Sequence, residues 1–387
     1  MLEIALCRPL FYDPRVSPTF ITLASVLVIA LLAFAAVAAH VALAFRWMVR
    51  ETGSDRYFSR TLAERRELKD AMKRRARWVL PLLGPLGRVL RRRQPTTSFR
   101  GVRAPAPVCP KASFRAATEY APQRGDIFVA TQMKCGTTWM QQIVYETLCH
   151  GSGDLSDDGL RHMYALSPWI EATASVPMER AARIGVRRDR IIKTHLPTRL
   201  CPYGEDARYV YVARHPYTCF ASCVDFIHHL TGPLAPAYPE LLDWYCSDEM
   251  WWRSWPEHVD GWWRWAQERD NVLFVHYEDM LGDLDGAVGL VAAFLDVALS
   301  DAERAEVVRK SSYAYMKENE ELFEMSPPSL LQNDSGLSFF QSGKKDRAGI
   351  LGDADRERIA AFCRERLAGS PYPLARFYPD VCVDPRP

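Results

Sequence analysis

The pattern of apolar and polar positions divides the chain into three regions. From Phe20 to Phe45 there is no charged residue. A helix of that length, rising about 1.5 Å per residue, crosses the roughly 30 Å of a bilayer's hydrocarbon. A cleaved leader would carry an apolar stretch of only about 7–15 residues, and a buried core helix would keep a polar stripe. The run therefore predicts a transmembrane helix. Between Arg91 and Pro110 no hydrophobic period survives among Gln94-Pro95-Thr96-Thr97-Ser98, Pro105 and Pro107, which predicts a linker. Beyond it, short apolar runs alternate with helical patterns. Asp126–Met133, Arg190–Leu196, Arg208–Ala213 and Val272–His276 predict buried strands, and Thr137–Cys149, Pro216–Leu230, Trp255–Glu268 and Leu284–Leu295 predict helices. The fold class that follows is α/β: a three-layer arrangement of a parallel sheet flanked by helices, with its site at the strand C-terminal ends, preceded by one transmembrane helix. No internal repeat interrupts it.

Composition adds little until charge is resolved by position. With 48% hydrophobic and 25% charged residues, the chain is not compositionally disordered. The net charge of +2 hides a segregation, because Lys and Arg crowd the first hundred residues. Arg46, Arg50, Arg56, Arg60 and Arg65 follow the apolar run, against Arg8 and Arg15 before it. The positive-inside rule then puts the C-terminal bulk in the cytosol, with the Golgi lumen as the alternative. A further basic run, Lys69, Lys73, Arg74, Arg75, Arg77 and Arg91-Arg92-Arg93, is either a lipid-facing surface or only a stop-transfer flank. The expected layout is a short tail over 1–19, the transmembrane helix over 20–45, a basic juxtamembrane segment and linker over 46–109, and a catalytic domain over 110–387. Ten scattered cysteines form no C-x-x-C pair and no metal spacing, so free thiols in a reducing compartment, and no metal cofactor, are expected.

The sharpest chemical signal is Asp126-Ile127-Phe128-Val129-Ala130-Thr131-Gln132-Met133-Lys134-Cys135-Gly136-Thr137-Thr138-Trp139. It reads as a strand, a one-glycine loop and a helix. Such a turn aims backbone N–H groups and the positive end of a helix dipole at an anion, and Thr137, Thr138 and Lys134 add donors. A kinase-type P-loop needs its lysine after the second glycine. Here Lys134 precedes the only glycine, so an ATP-binding reading fails.

This loop resembles the 5′-phosphosulfate loop of the sulfotransferase superfamily. Five further blocks are similar to that family in the right order. They are Arg190-Ile191-Ile192-Lys193-Thr194-His195-Leu196-Pro197, Tyr209–Pro216 followed by Ser222, Trp255–Trp263, Val275–Met280 and Ser311–Asn319. The resemblance, to the cytosolic-type branch, implies a P-loop-like sulfotransferase fold and transfer of a sulfuryl group from 3′-phosphoadenosine 5′-phosphosulfate (PAPS). It also implies donor contacts at Lys134, Cys135, Gly136, Thr137, Thr138, Trp139, Arg214, Ser222, Tyr277, Ser311 and Ser312. The chemistry fits these residue types. Lys134 would offset charge developing on the leaving phosphate, His195 would act as general base, and Lys193, two residues earlier on the same strand face, would help hold the transferring group. The Trp-rich stretch from Trp244 to Trp265 has helical spacing and reads as core packing.

One element departs from the family. Where its C-terminal phosphate clamp reads F-x-R-K-G, this chain has Phe339-Phe340-Gln341-Ser342-Gly343, with Gln341 for the arginine and Ser342 for the lysine. Lys344, Lys345 and Arg347 follow at once and could supply the lost charge. The alternative to an active enzyme is a catalytically weak, nucleotide-binding membrane scaffold, and the retained Lys134, Lys193 and His195 argue against it. The acceptor is expected to be a hydroxyl or amine of a small or lipid-like molecule, with no nucleic-acid partner. Asp225–Trp244, with His228 and His229, lies where the family keeps its substrate loops.

Overall fold

The computed structural model describes residues 18–89, 95–156, 162–173, 175–324, 329–330 and 348–383. These fall into two units, Met1–Arg50 and Glu51–Pro387. The first contains most of one helix, Pro18–Thr52, which extends past both ends of the predicted apolar run. Its Leu23, Ile29, Leu32 and Phe34 are exposed among the described residues. It is the one helix among the described residues long and apolar enough to cross a membrane.

The second unit is built on a four-stranded parallel sheet. Its strands are β3 (Asp126–Thr131), β4 (Arg190–Thr194), β5 (Arg208–Ala213) and β6 (Val272–His276), in the order β4-β3-β5-β6. Every residue of β3 and β4 is buried, which is why both read as continuous apolar runs rather than alternating ones. Two polar residues at their N-terminal ends are paired in register. Asp126 faces Arg190, whose Nε and Nη2 donate to Asp126 Oδ1 at 2.9 and 2.7 Å. Such a buried, doubly hydrogen-bonded ion pair is costly to break on one side only, so it opposes slippage of β4 against β3. The helix Thr137–Leu148 packs on β3 and β4, and Trp255–Glu268 on β6. Because β3 and β5 are neighbours while β4 lies on the other side of β3, the chain reverses direction of travel beside β3, and a crevice at its C-terminal end is expected there.

Two strands end earlier than the hydrophobic pattern suggests. β3 stops at Thr131 because Lys134 takes a left-handed conformation (φ 65°) that no ladder accommodates. β4 stops at Thr194, whose hydroxyl accepts the Leu196 N–H at 3.0 Å and bends the chain away.

The stretch read as a linker holds a hairpin of β1 (Thr96–Phe99) and β2 (Val102–Pro105), closed by Arg100 (φ 47°) and Gly101 (φ 75°). Two consecutive positive φ angles make a turn whose twist matches paired strands. The basic segment is likewise structured. Leu62–Val89 is a helix that buries Arg65, Leu68, Met72, Ala76 and Val79 along one side and meets Gly232–Leu234. Arg65, counted above among the cations flanking the apolar run, is 1% exposed and donates to the Arg60 carbonyl at 2.9 Å. Phe58, fully buried, packs on His162 and Tyr164 at ring separations of 4.7 and 5.4 Å.

Candidate active site

The turn after β3 is fixed by a close approach. Gly136 has φ 97°, and a Cβ there would lie 2.8 Å from the Tyr277 ring, so any side chain collides. The glycine caps Thr137–Leu148 without a side-chain hydrogen bond, leaving the first N–H groups of that helix directed at the turn. Arg214, at the end of β5, buttresses the same turn. Its Nη1 donates to the Lys134 carbonyl at 3.0 Å, its Nε to Thr218 Oγ1 at 3.0 Å, and its guanidinium lies 4.4 Å from the Tyr277 ring centroid. Among the described residues no carboxylate lies within ion-pair distance of Arg214, so this buried cation could meet an incoming anion with the N–H donors that Thr218 and the Lys134 carbonyl do not take.

Aromatic groups close the other side of the turn. Trp139 meets Tyr277 edge-on at 5.3 Å and donates its indole N–H to the Ser311 carbonyl at 2.8 Å. The Ser311 hydroxyl is buried and has no partner among the described residues. A buried orphan hydroxyl costs free energy unless something else satisfies it. Ser312 behaves differently from its neighbour, since its hydroxyl accepts from the Tyr315 N–H and caps Tyr313–Glu318. Cys135 points into the core, 3.6 Å from Cys219 Sγ. Ser222 is buried on Pro216–Thr231, the helix that follows Arg214. Thr138 is buried, as is Thr137, whose hydroxyl lies 2.6 Å from that of Thr131. Gln341, Ser342, Gly343, Lys344, Lys345 and Arg347 lie outside the described residues.

At the ends of β3 and β4 the structure brings together His195, Lys193 and Lys134. His195 Nδ1 donates to the Thr131 carbonyl at 2.8 Å, with the Thr131 hydroxyl at 3.2 Å, which leaves Nε2 as the basic nitrogen. The His195 carbonyl accepts from His258, which also bonds the Tyr211 hydroxyl. Lys193 Nζ donates to the Tyr164 hydroxyl at 2.8 Å and lies 3.7 Å from the Trp169 ring centroid. Lys134 is close enough to lower the proton affinity of both Lys193 and His195, and its ammonium sits 4.5 Å over Phe226. Burial first, and then the charge of Lys193, hold His195 well below the usual imidazole range. Burial likewise pulls Lys193 down, against the opposing attraction of Glu171.

Several residues of this cluster escaped the sequence reading. Glu171 is fully buried and accepts from the His195 backbone N–H at 2.7 Å and from the Thr194 hydroxyl at 3.0 Å. Trp169 and Trp252 stand 5.1 and 4.9 Å from the His195 ring and 5.6 Å from each other. The signal that could have found Glu171 is a single carboxylate closing the apolar run Leu166-Ser167-Pro168-Trp169-Ile170. An acid there must be paired with something.

A parallel sheet carrying a one-glycine anion turn beside its switch point, with no kinase-type lysine, defines a group-transfer enzyme that takes a phosphorylated donor. Comparison narrows the class. The family model for the sulfotransferase domain matches residues 124–371, and the chain belongs to that family. It is 29% identical to Sulfotransferase 1C2 of Oryctolagus cuniculus, covering 63% of this chain and 83% of that protein. It is 30% identical to Sulfotransferase 2B1 of Rattus norvegicus, covering 67% and 76%. Among solved structures, mouse SULT7A1 complexed with PAP superposes with TM-score 0.57 at 20% identity, over 74% of this chain and 98% of that one. Retinol dehydratase in complex with retinol and PAP does so with TM-score 0.55 at 20% identity, over 72% and 92%. The protein is a PAPS-dependent sulfotransferase.

The residues present fit such a donor. Among the described residues the Ser311 hydroxyl has no hydrogen-bond partner, Arg214 is held by neutral groups and no carboxylate, and the cradle beside Tyr277 admits only glycine at 136.

Proposed function

We propose that His195 is the general base of the transfer and that Lys134 and Lys193 offset the negative charge that develops on the donor side. When bound, PAPS supplies the activated sulfuryl group. Lys134, Cys135, Gly136, Thr137, Thr138 and Trp139 would hold its 5′ end through backbone N–H groups, hydroxyls and one ammonium. Arg214 and Ser222 would hold the 3′-phosphate, and Trp139, Tyr277, Ser311 and Ser312 the adenine side. The observation that carries the reading is the bond from His195 Nδ1 to the Thr131 carbonyl, which fixes the tautomer with Nε2 free to take a proton from an acceptor hydroxyl.

The acceptor in this reading is small and largely apolar, or lipid-like. Trp169 and Trp252 flank His195, and Phe226 lies beside Lys134, so a molecule reaching the base passes aromatic faces. The apolar helix serves as a membrane anchor, and the Glu51–Pro387 unit faces the cytosol. Purified protein supplied with sulfur-labelled PAPS and separate sterol, phenol, sphingolipid and carbohydrate pools tests the proposal. Transfer to an apolar pool that disappears in His195→Ala supports it. Transfer confined to carbohydrate would refute the acceptor class, and full activity in His195→Ala would refute the base.

A further inference from the structure

We propose that the exposed face of the Leu62–Val89 helix docks on an anionic lipid surface. The helix has two halves of different character. In its first half Arg66 and Lys69 are tied to the protein, Arg66 to Glu321 at 2.7 Å and Lys69 to Glu324 at 2.5 Å. Glu64, Glu67 and Asp70 further dilute the charge there. From Ala71 to Val89 there are Lys73, Arg74, Arg75, Arg77 and Arg88 and no acid. Lys73, Arg74, Arg75 and Arg77 are all exposed, opposite or beside the stripe buried by Met72, Ala76 and Val79. At about 100° per residue, Lys73, Arg77, Arg74 and Trp78 share one arc of roughly 140°.

Trp78 decides what kind of partner fits. Its indole is 75% exposed, beside four cations. Cations with an exposed indole on one helix face match the boundary of an anionic bilayer, where the ring sits at headgroup level and the charges meet phosphate and carboxylate. Continuity points the same way. Only residues 53–61 separate this helix from Pro18–Thr52, whose last seven residues lie past the apolar run, so a spanning helix would tether its start within about 45 Å of the bilayer. That clause rests on the anchor reading above, whereas the charge and indole argument does not.

The test uses the full-length protein in lipid nanodiscs, with and without about 30 mol% phosphatidylserine, and with acyl chains either plain or brominated to quench indoles. The Trp78 signal is the difference between wild type and Trp78→Phe. We expect it to be quenched in brominated anionic discs and not in zwitterionic ones. Raised salt should relieve that quenching, and so should the combined variant Lys73→Gln, Arg74→Gln, Arg77→Gln. With each near-surface cation worth about fivefold in binding, the triple variant should lose about a hundredfold of docking preference. An unchanged melting temperature of the triple variant shows that it folds. A Trp78 signal indifferent to bromination overturns the proposal, as does one that follows protein concentration instead of lipid, which would mean self-association. Resistance of the chain to alkaline extraction reports the anchor separately.

Discussion

His195 gives its Nδ1 proton to the carbonyl of Thr131, 2.8 Å away on the neighbouring strand. One backbone group of β3 therefore sets the tautomer of a side chain just beyond β4, and the parallel register of the two strands is what brings them together. The consequence is a base with its lone pair on Nε2. His195→Ala should lower kcat by about 10²–10⁴-fold while PAP binding stays intact, because the donor contacts come from other elements. Turnover and calorimetric PAP affinity on the same preparation check this, and parallel loss of both would mean the residue is structural.

The pH profile of kcat should show where the proton sits. His195 is held below the usual imidazole value of about 6.5, chiefly by burial and then by Lys193, so the acid limb should fall below pH 6.5. Lys193→Met removes a positive charge that opposes protonation. Its acid limb should therefore move up, towards 6.5, along with a lower plateau. A limb that stays put or moves down would show that Lys193 does not act on the base.

Glu171 holds the backbone beneath the base, accepting from the His195 N–H and the Thr194 hydroxyl. In Glu171→Gln an amide that turns its NH₂ towards the His195 N–H leaves that buried donor unsatisfied, at a cost of about 1–3 kcal/mol. Lower thermal stability and a reduced kcat with little change in the Michaelis constant for PAPS are expected. An unchanged kcat would limit Glu171 to fold stability.

How much of this was legible in the sequence depends on the kind of interaction. β5, β6 and the Trp255–Glu268 helix match the predicted bounds to the residue, because β5 and β6 are short apolar runs and the helix buries Trp255, Val259 and Trp262 at helical spacing. The motif blocks led to Lys134, Lys193, His195, Trp139 and Tyr277, which the fold does bring close. The β1–β2 hairpin was hidden because its turn is Arg100-Gly101, and only the glycine half signals positive φ. Glu171 and Trp252 were hidden for a different reason. Their importance lies in contacts made across the fold, to which no local period corresponds.

The proposed orientation in a membrane rests on the arginines after the apolar run, and two of these are bound within the fold, Arg60 to Glu51 at 2.7 Å and Arg65 by burial. Arg46, Arg50 and Arg56 still outnumber Arg8 and Arg15. Protease added to sealed microsomes should digest the Glu51–Pro387 unit. Protection until detergent is added would place that unit in the lumen.

Acid should destabilise the protein through its buried imidazoles. His276 is pushed down to about 4 by burial and by Arg376, and His258 to about 4 by burial. Above pH 6.5 both states are neutral at these positions. As pH falls from 6.5 towards 4 the unfolded chain takes up protons first, so stability is lost across that window, by up to about 3 kcal/mol per group. His276→Gln cannot titrate, and its melting temperature should fall less steeply over the same range. Parallel slopes for variant and wild type would contradict the assignment.

Ser311 offers a test in which stability and binding move apart. Its carbonyl anchors the Trp139 indole, but its buried hydroxyl has no partner among the described residues. In the free protein that hydroxyl is a liability, so Ser311→Ala should leave the melting temperature unchanged or raise it. If the hydroxyl bonds the bound nucleotide, the same substitution should weaken PAP about three- to tenfold, which corresponds to a neutral hydrogen bond of about 0.5–1.5 kcal/mol. The bond from Trp139 to the Ser311 backbone survives the change, so the aromatic wall stays in place and kcat should hold. Melting curves with and without PAP separate the outcomes: the gain in stability on adding PAP should shrink in the variant although its ligand-free curve does not fall. A variant that is less stable without ligand, yet binds PAP as tightly as wild type, would show that the hydroxyl serves the fold and not the donor.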